Sequence, residues 1–539
     1  MWKKNSKHTY DESLDIVHNL LISRGIEDND FLKPSLDKQL SPYGLANIED
    51  VANRIVKAIN NKEKIAISND VDPDGITSSV YLSKYLNNFT DNHYIMYHQR
   101  SKGHGIQNQM KQITDDTDLV VILDSSSNEI EALKQINNKN IDIVIIDHHD
   151  METHEAYDYA LIVNPNGKCD YKNKQISTAG LIYKVCTVID DILEVNYADE
   201  YLDLSTLGLV SDMMDLSELD NRAMISYGLD NIKNKALRYV FKKERIDLKK
   251  VSTNNLSFSI SPLFNASARL EKIELAIQLL LTDDDSKIEK IYNELKTMNG
   301  KRKDKQVKLS KEYLDLIDIN DKFAIVLSET QQQTAGYNGL VANEIANKLH
   351  KPALVMVKNS DGLYQGSGRS YNNFACKTFL NESGLVEYAK GHEGAFGVGV
   401  KEENVNQLKE YINNNISDDL FKKEYNYDFE LDVKYITRAM IEEVEEFDRS
   451  TGFGFPSARF SVTNIMAIEK QVLGSNRNTI KLMCDGINLM KFRVDENYAD
   501  DVYPFADIEV IGQLNLNKWY NGRETIETLQ VFIDDYKVI

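Results

Sequence analysis

Residues 64–76, KIAISNDVDPDGI, join a short apolar run to an acidic turn and to the start of a helical pattern. The runs LVVILD (119–124) and DIVIID (142–147) repeat the apolar signal, with helical spacing between them. Strands that alternate with helices predict a parallel sheet that is covered by helices on both faces. Because the carboxyl ends of parallel strands open onto one crevice, we expect the functional side chains to converge there.

Acidic and imidazole side chains stand at or just past the ends of the apolar segments. They are Asp70, Asp72 and Asp74 after the first run, Asp124 after the second, Asp147, His148 and His149 after the third, and Asp212 in LGLVSDMMDL. Carboxylates with imidazoles suit Mn²⁺ or Mg²⁺ rather than a zinc ion held by thiolates. Two such cations about 3.5–4 Å apart can promote an in-line displacement at a phosphodiester. The main interpretation is therefore a two-metal phosphodiester hydrolase.

The local geometry of these residues can also be predicted. The alternate residues Asp70, Asp72 and Asp74, in the turn after the first apolar run, are expected to leave the backbone on the same side. The adjacent His148 and His149, on an extended segment, are expected to point in opposite directions. The structural alternatives are an exposed loop or a helix N-cap for the acidic turn, and a buried salt bridge for Asp212.

The composition limits the classes of protein that the chain can represent. Its 539 residues predict about three or four domains of ~150 residues. No run of about 18 apolar residues is present and the N-terminus lacks an apolar signal core, which predicts a cytoplasmic protein without a membrane segment. Four scattered cysteines without a CxxC pair predict reduced thiols. The net charge of −21 argues against wholesale electrostatic binding of nucleic acid but permits a local basic groove.

The chain changes character after the first α/β region. A charged helical pattern contains basic residues clustered at 301–311, which fit either a solvated helix or a rail for a phosphate backbone. A second α/β region starts at KFAIVLSET (322–330) and includes YQGSGRS and KGHEGAFGVGV. The remaining C-terminal part alternates as short strands, which predicts a small β-barrel.

The ordered set of motifs resembles the DHH phosphoesterase superfamily, and specifically the RecJ-type single-strand-specific DNA exonucleases. NDVDPDG, VILDSS, IDHHD and LGLVSDMMDL resemble the four motifs of the catalytic domain. GSGRS and KGHEGAFG resemble the DHH-associated C-terminal domain, and GFGFP, TIKLMCDG and NLNKWYNG resemble the RecJ OB domain. The resemblance covers nearly the whole chain.

The resemblance implies an α/β fold in which a parallel-sheet DHH domain is joined by a long helix to a second α/β domain, followed by a C-terminal OB-like β-barrel. The expected boundaries are 1–235 for an N-terminal helical segment with the DHH catalytic domain and 236–320 for a helical connector. The DHH-associated domain is then expected at 321–418 and the OB-like domain at 419–539.

The resemblance also assigns roles to individual residues. It implies that two Mn²⁺ or Mg²⁺ ions are held by Asp72, Asp74, Asp124, His148 and Asp212, with Asp124 as the bridge. Asp70 is a further ligand or the carboxylate on the side of the base, His149 contacts the scissile phosphate, and Asp147 orients a histidine. The residues implied to grip DNA phosphates are Asn265, Arg269, Ser367, Arg369 and His392.

Aromatic residues of the barrel could supply platforms on which bases stack, at roughly 1–3 kcal/mol per base. Trp519, in NKWYNG, is the main candidate, whereas Phe453 fits the barrel core at least as well. Some residues depart from the family pattern. His104 stands where tyrosine is usual, Ala268 where glycine is usual, and Lys390 replaces the first glycine of a GGH pattern. These departures leave every acidic residue of the metal site in place.

The implied function is an exonuclease that degrades single-stranded DNA from the 5′ end in recombination, repair or replication. The implied partners are single-stranded DNA and a single-strand-binding protein or a helicase, and a monomer is expected. One alternative is a DHH phosphodiesterase that acts on short oligonucleotides or cyclic dinucleotides; the N-terminal region and the barrel argue against it. Another is a non-catalytic replication scaffold, against which the intact set of acids argues.

Overall fold

The computed structural model describes residues 1–99, 103–329, 335–372, 374–520 and 522–539. These residues form two compact units. The larger unit contains Lys4–Asn299 and Tyr427–Ile539, and the smaller unit contains Met1–Lys3 and Gly300–Asn426. Within the described residues, no helix is long and apolar enough to cross a membrane. All four cysteines are free thiols.

The first half of the chain alternates strands and helices as the sequence predicts. Its elements are β1 (Trp2–Lys4), α1 (Ile16–Ser23), α2 (Ile48–Asn61), β2 (Ile65–Ser68), α3 (Pro73–Leu86), β3 (His93–Ile95), β4 (Leu119–Leu123), α4 (Ile130–Asn137), β5 (Asp142–Ile146), β6 (Leu161–Val163), α5 (Thr178–Leu193), α6 (Leu202–Ser211), α7 (Leu219–Asp230) and α8 (Lys235–Lys243). Strands β2 to β6 form a sheet in the order β3-β2-β4-β5-β6, and every pairing in it is parallel. The expected parallel sheet is confirmed.

The sheet is buried on both faces because its strands are apolar at consecutive positions. Val121 and Val144 belong to one hydrophobic core, whereas Val120 and Ile143 belong to a second core on the opposite face. Ser68, the last residue of β2, pairs in register with Ile122 of β4, and the last residues of β4 and β5 pair with each other. The three strands therefore end at the same edge, where the acidic residues begin.

Helices form the connection between the units along the chain. They are α9 (Thr253–Asn255), α10 (Ser261–Arg269), α11 (Ile273–Leu281) and α12 (Asp285–Leu314). Helix α12 has 30 residues, begins in the larger unit and ends in the smaller one. It is the long helix that the sequence predicts.

The smaller unit is a second α/β fold. Its elements are β7 (Ala324–Ser328), α13 (Asn338–Leu349), β8 (Ala353–Lys358), β9 (Leu363–Arg369), α14 (Cys376–Glu382), β10 (Tyr388–His392), β11 (Ala395–Lys401) and α15 (Val405–Asn415). The sheet has the order β10-β11-β9-β8-β7. Only the β7–β8 pairing among these described strands is parallel.

The C-terminal part is a small barrel within the larger unit. Its elements are β13 (Phe429–Asp432), α16 (Arg438–Phe447), β14 (Phe460–Leu473), β15 (Thr479–Cys484), β16 (Asn488–Phe492), β17 (Asp507–Tyr520) and β18 (Thr525–Val538). The short strand β12 (Tyr425–Tyr427) precedes them and pairs with β1 in a separate two-stranded sheet. The sheet order is β13-β14-β15-β16-β18-β17, and a further pairing of β14 with β17 closes it. The predicted OB-like barrel is confirmed.

The barrel segment is packed directly against the region that carries the parallel sheet. The guanidinium of Arg222 lies between the rings of Phe31 and Phe455, 4.4 and 4.3 Å from their centroids. Its nitrogens also donate to the backbone oxygens of Leu216 and Ser450. A buried arginine is tolerated here because these groups satisfy its donors.

Candidate metal centre

The acidic turn after β2 is organised by the N-terminus of α3. The carboxylate of Asp72 caps this helix and accepts hydrogen bonds from the N–H groups of Asp74 and Gly75, both at 3.0 Å. Pro73 occupies the first helical position, where its missing N–H costs nothing. A Cβ at Gly75 would lie only 2.6 Å from the backbone nitrogen of Asp70. Glycine is therefore needed for the close approach of the turn to the helix.

Asp124 occupies an unusual backbone conformation directly after β4. Its φ is +64°, in the left-handed region that non-glycine residues rarely adopt. One carboxylate oxygen accepts a hydrogen bond of 3.1 Å from the hydroxyl of Thr178, at the start of α5. The other oxygen, Oδ2, is buried and has no hydrogen-bond partner among the described residues. Such an orphaned oxygen is costly unless a further group satisfies it.

The segment after β5 holds two imidazoles around one buried carboxylate. Asp147 accepts hydrogen bonds from the backbone N–H groups of His148 and His149, and its other oxygen accepts the Ser127 hydroxyl at 2.6 Å. The ring Nδ1 of His149 lies 2.8 Å from the same carboxylate. Asp147 thereby fixes the turn and orients one of the two rings.

Asp212 is brought to the centre by α6, of which it is the C-cap residue. A Cβ at Gly208 would lie 2.4 Å from a carboxylate oxygen of Asp74, so this glycine allows α6 to approach α3 closely. Asp74 itself is fully buried and accepts the N–H groups of Thr178 and Ala179 at the start of α5. Three helices thus position two carboxylates beside the strand ends.

The side chains from these four segments meet in one cluster. Nε2 of His148 lies 3.3 Å from Asp124 and 3.2 Å from Asp212. Three sets of potential ligand atoms, each within 4.8 Å of one another, are Asp70, Asp72 and Asp124; Asp124, His148 and His149; and Asp74, His148 and Asp212. Asp124 and His148 each belong to two sets. Overlapping sets of this kind suit two neighbouring cations that share ligands.

Burial and crowding make the cluster unfavourable without a cation. Burial raises the pKa of the carboxyls of Asp72, Asp74, Asp124 and Asp212, the last two well above the ordinary value. Repulsion from neighbouring carboxylates raises the pKa of Asp72, Asp124 and Asp212 further. A divalent cation would relieve both effects, and the donor set of carboxylate oxygens and imidazole fits Mn²⁺ or Mg²⁺.

The Asp147–His149 pair behaves differently. Burial alone would raise the pKa of Asp147, but its hydrogen bond to His149 and the nearby imidazoles lower it. Burial likewise opposes the charge on His149, but Asp147 and the neighbouring carboxylates raise its pKa to about 9. The His149 ring is therefore protonated at neutral pH, and 54% of its side-chain surface is exposed.

Asp70, Asp72 and Asp74 occupy the loop after β2, which ends at Ser68, and the start of α3, and each supplies a potential ligand atom to the cluster. One geometric expectation is wrong. The rings of His148 and His149 do not point in opposite directions: their centroids are 4.6 Å apart. The strand ends at Ile146, and the hydrogen bonds to Asp147 turn the chain there. The predicted N-cap and the predicted acidic site coincide in Asp72.

The residues expected to bind DNA lie in three places. Asn265 and Arg269 are partly buried on α10, whose first residue, Ser261, is hydrogen bonded to Ser211 at the end of α6. Trp519 is 49% exposed on β17, and Phe453, for which the barrel core was an equal alternative, is 54% exposed. Both aromatic rings therefore face solvent.

The other three expected residues belong to the smaller unit. Arg369 is the last residue of β9, Ser367 stands two residues before it, and His392 ends β10. A Cβ at Gly339, in the first turn of α13, would lie 2.6 Å from a terminal nitrogen of Arg369 and 3.5 Å from the Ser367 hydroxyl. Burial lowers the pKa of Arg369. Its guanidinium and the Ser367 hydroxyl thus lie together at a helix N-terminus, a position suited to phosphate.

Sequence reasoning missed three residues beside the cluster. The Thr178 hydroxyl contacts Asp124, and His98 and His104 both face Asp70. Both histidines lie in the segment YHQRSKGHG. Its residue pattern indicates neither a strand nor a helix, so the sequence did not predict that the two rings would approach Asp70. The loop that contains His104 brings the second ring back to the acidic turn.

Three family profiles match consecutive parts of the chain. The DHH family, N-terminal domain, matches residues 64–209; the DHHA1 domain matches 320–418; and the RecJ OB domain matches 427–535. The first match contains most of the acid–imidazole cluster, and the third contains the barrel. The fold and the site therefore define a phosphoesterase of the DHH class, a metal-dependent phosphodiesterase.

Several relatives match almost the whole chain. The SPbeta prophage-derived protein YorK of Bacillus subtilis, whose name describes a single-strand DNA-specific exonuclease, is 29% identical over 96% of this chain and 95% of its own length. The single-stranded-DNA-specific exonuclease RecJ of Haemophilus influenzae is 24% identical over 96% of this chain and 95% of its own length. The chain thus carries a DHH, a DHHA1 and a RecJ OB domain in this order, and it is similar over nearly its whole length to proteins named as single-strand-DNA-specific exonucleases.

A solved structure supports the fold independently. The crystal structure of RecJ from Thermus thermophilus in complex with Mn²⁺ matches with a TM-score of 0.80. The match covers 99% of this chain and 79% of that chain, at 20% sequence identity. At this identity the likeness concerns the fold, which includes the parallel sheet, the second α/β unit and the barrel.

Proposed function

We propose that this protein is an exonuclease that degrades single-stranded DNA from the 5′ end by two-metal phosphodiester hydrolysis. The proposal rests on the three sets of potential ligands, which overlap because Asp124 and His148 each belong to two of them. The domain set around the cluster supports a polymeric substrate, because an OB-type barrel suits single strands.

Each residue of the cluster has a part in the proposed mechanism. Asp72, Asp74, Asp124, His148 and Asp212 would hold two Mn²⁺ or Mg²⁺ ions, with Asp70 as a further ligand beside Asp72. When bound, such a pair supplies an activated water and stabilises the leaving oxygen of a phosphodiester. The left-handed backbone at Asp124 and the caps at Asp72 and Asp74 fix the carboxylates in advance, which reduces the reorganisation needed on binding.

His149 is proposed to contact the scissile phosphate. Its ring is held by Asp147, which raises the pKa of the imidazole, and it keeps half of its surface open to solvent. An imidazolium can donate a charge-assisted hydrogen bond to a phosphate oxygen, and such bonds are about twice as strong as neutral ones. Asp147 acts through His149 by orienting it.

The remaining contacts are proposed to guide the strand. Asn265, Arg269, Ser367, Arg369 and His392 bind backbone phosphates, and Trp519 stacks on a base. We further propose that the enzyme acts as a cytoplasmic monomer in recombination, repair or replication, on strands exposed by a helicase or covered by single-strand-binding protein. The four free thiols are consistent with a reducing compartment.

The test is digestion of single-stranded DNA labelled at the 5′ or the 3′ end, with duplex DNA and dinucleotides as competing substrates and with Mn²⁺ present or absent. We expect Mn²⁺-dependent release of a labelled mononucleotide first from strands labelled at the 5′ end. Duplex DNA is expected to remain intact. Asp124→Asn and His148→Ala should abolish it, whereas Asp116→Asn, which changes an exposed carboxylate paired with Lys64, should not. Wild-type digestion by both cluster variants would refute the mechanism, and a preference for dinucleotides would refute the substrate.

A further inference from the structure

Two histidines outside the DHH motif converge on Asp70. His104 Nδ1 lies 2.9 and 3.1 Å from the two carboxylate oxygens of Asp70. His98 Nε2 lies 3.9 Å from Asp70 Oδ1. Neither histidine belongs to the ligand sets described above, but Asp70 does. The two imidazoles therefore contact the cluster through one carboxylate.

His98 is buried without a satisfied ring nitrogen. Only 2% of the residue is exposed, and neither Nδ1 nor Nε2 has a hydrogen-bond partner among the described residues. Backbone groups of Gln99 and Gly105 lie near the ring, but neither reaches hydrogen-bond geometry. Burial of an unsatisfied polar group costs about 1–3 kcal/mol, so the position of this imidazole calls for a compensating role.

The backbone of Asp70 is fixed by packing, whereas the orientation of its carboxylate depends on imidazoles. The close packing of Gly75 on Asp70 restricts the main chain. At the carboxylate, His104 makes the only hydrogen bonds found among the described residues, and His98 is the other charged or polar ring in contact. Asp72, by contrast, is held by two backbone amides of α3. A carboxylate without such amides needs side chains to orient it toward a cation.

We propose that His98 and His104 are positioning residues that hold the Asp70 carboxylate from two sides, so that it can serve as a fixed metal ligand. His104 sets the direction of the carboxylate by contacting both oxygens. His98, which is buried, provides a second imidazole nitrogen 3.9 Å from Oδ1 that would restrict the carboxylate. Outer groups that orient a ligand typically change metal affinity by 10- to 100-fold when they are removed. This inference rests on the proposed metal centre.

Two variants remove the imidazoles with little risk to the fold. His98→Phe keeps the volume of the buried ring and removes both nitrogens, and His104→Ala changes a side chain that is 69% exposed. Calorimetric titration with Mn²⁺ alone is expected to show affinity at least about tenfold weaker in each variant. His98→Gln, which returns an amide nitrogen near the position of Nε2, is expected to recover most of the affinity.

The matched control is His93→Ala. His93 lies on β3 and also has a buried ring nitrogen without a partner among the described residues, but its other nitrogen contacts Ser83 away from the cluster. Its Mn²⁺ affinity is expected to stay within about twofold of the wild-type value. A general loss of packing would lower affinity in the control and in His98→Phe alike, and that result would overturn the proposal.

Electron spin echo spectroscopy of bound Mn²⁺ separates positioning from direct ligation. Nitrogen coupling is expected to persist in His98→Phe and His104→Ala and to weaken in His148→Ala. Loss of a nitrogen in His98→Phe would show that His98 is itself a ligand and would overturn the positioning role. Unchanged Mn²⁺ affinity in both variants would also overturn it. Failure of the wild-type protein to bind Mn²⁺ would instead refute the metal centre itself, whatever the variants do.

Discussion

Two carboxylate sites in the larger unit, Asp220 and the metal cluster, differ in the groups that neutralise their charge. Asp220 is buried, and the ammonium of Lys184 lies 2.8 Å from it. The Tyr171 hydroxyl, the amide of Asn173 and the backbone N–H of Leu40 also donate hydrogen bonds to it. Around the cluster of Asp72, Asp74, Asp124 and Asp212, imidazole is the only side chain among the described residues that could carry a positive charge within ion-pair distance.

This difference in charge balance shows how a metal site can be recognised when no metal is bound. A buried acid that belongs to the structure alone is satisfied by the chain, as Asp220 is. A group of acids that repel one another, with a buried oxygen left unpaired at Asp124, is satisfied only by something that the chain does not supply. Charge balance therefore separates a structural network from a functional one within the same fold.

The largest effect is expected when one acid is removed from the cluster. Asp124→Asn should lower the rate of DNA hydrolysis by about 10³-fold or more, since ~4 kcal/mol of transition-state stabilisation depends on the metal pair. The same variant should unfold no more easily than the wild type without metal, because it relieves repulsion. Single-turnover digestion and thermal unfolding in a chelator measure the two effects. A normal rate of DNA hydrolysis, or a marked loss of stability, would show that Asp124 does not differ from Asp220 in its role.

The complementary change is Asp220→Asn in the structural network. It leaves the buried Lys184 without its counter-charge, so the free energy of unfolding should fall by about 3 kcal/mol. Mn²⁺ affinity of the protein that remains folded should be unchanged. Denaturant unfolding and calorimetry provide the measurements. If this variant lost metal affinity without losing stability, the two carboxylate groups would not be independent.

Metal addition should stabilise the protein, and the gain should depend on pH. At a free Mn²⁺ concentration 100 times Kd, binding contributes about 2.7 kcal/mol to the folded state. The folded-state pKa values of the cluster acids are raised, so the metal-free protein binds more protons than the unfolded chain above about pH 3.8. Its stability therefore falls as pH rises toward neutrality. The difference in unfolding temperature with and without Mn²⁺ should be larger at pH 7.5 than at pH 5.5; an equal or opposite difference would contradict the raised pKa values.

The smallest expected effect lies in the barrel. Trp519→Ala should weaken binding of a long single strand by about tenfold, or ~1.4 kcal/mol, within the range of one stacked base. It should leave Mn²⁺ affinity unchanged because the ring is remote in sequence and exposed. Fluorescence anisotropy with labelled single strands measures the loss, and Phe453→Ala provides a comparison at a second exposed aromatic residue. Unchanged binding in Trp519→Ala would remove this residue from the DNA contacts.

The sequence predicts the parallel sheet well because its signals are local. Apolar runs such as residues 119–123 are buried on both faces, and each ends in a polar residue at the edge where the strands align. The convergence of Asp124 with the residues after Ile146 follows from that alignment alone. The long charged helix α12 and the closing barrel strands are likewise visible as periodic patterns.

Local geometry was harder to predict where the chain leaves regular structure. The alternate spacing of Asp70, Asp72 and Asp74 predicts that they leave the turn on the same side, but only the structure shows how the cap of α3 arranges Asp72 and Asp74. The two adjacent histidines were assigned to opposite faces, but the carboxylate of Asp147 turns the backbone and draws the rings together. Hydrogen bonds from side chains to nearby backbone groups override simple periodicity at such turns.

The amino-acid sequence by itself determined which chemical groups are available, the order of the elements and the edge of the sheet at which the acids gather. Only the tertiary structure decided that Asp212 reaches His148 from the end of a helix, that His98 and His104 contact Asp70, and that the barrel packs on Arg222. The reason is physical. Periodicity reports which face of an element is buried, whereas contacts between residues far apart in sequence depend on how packed elements approach one another.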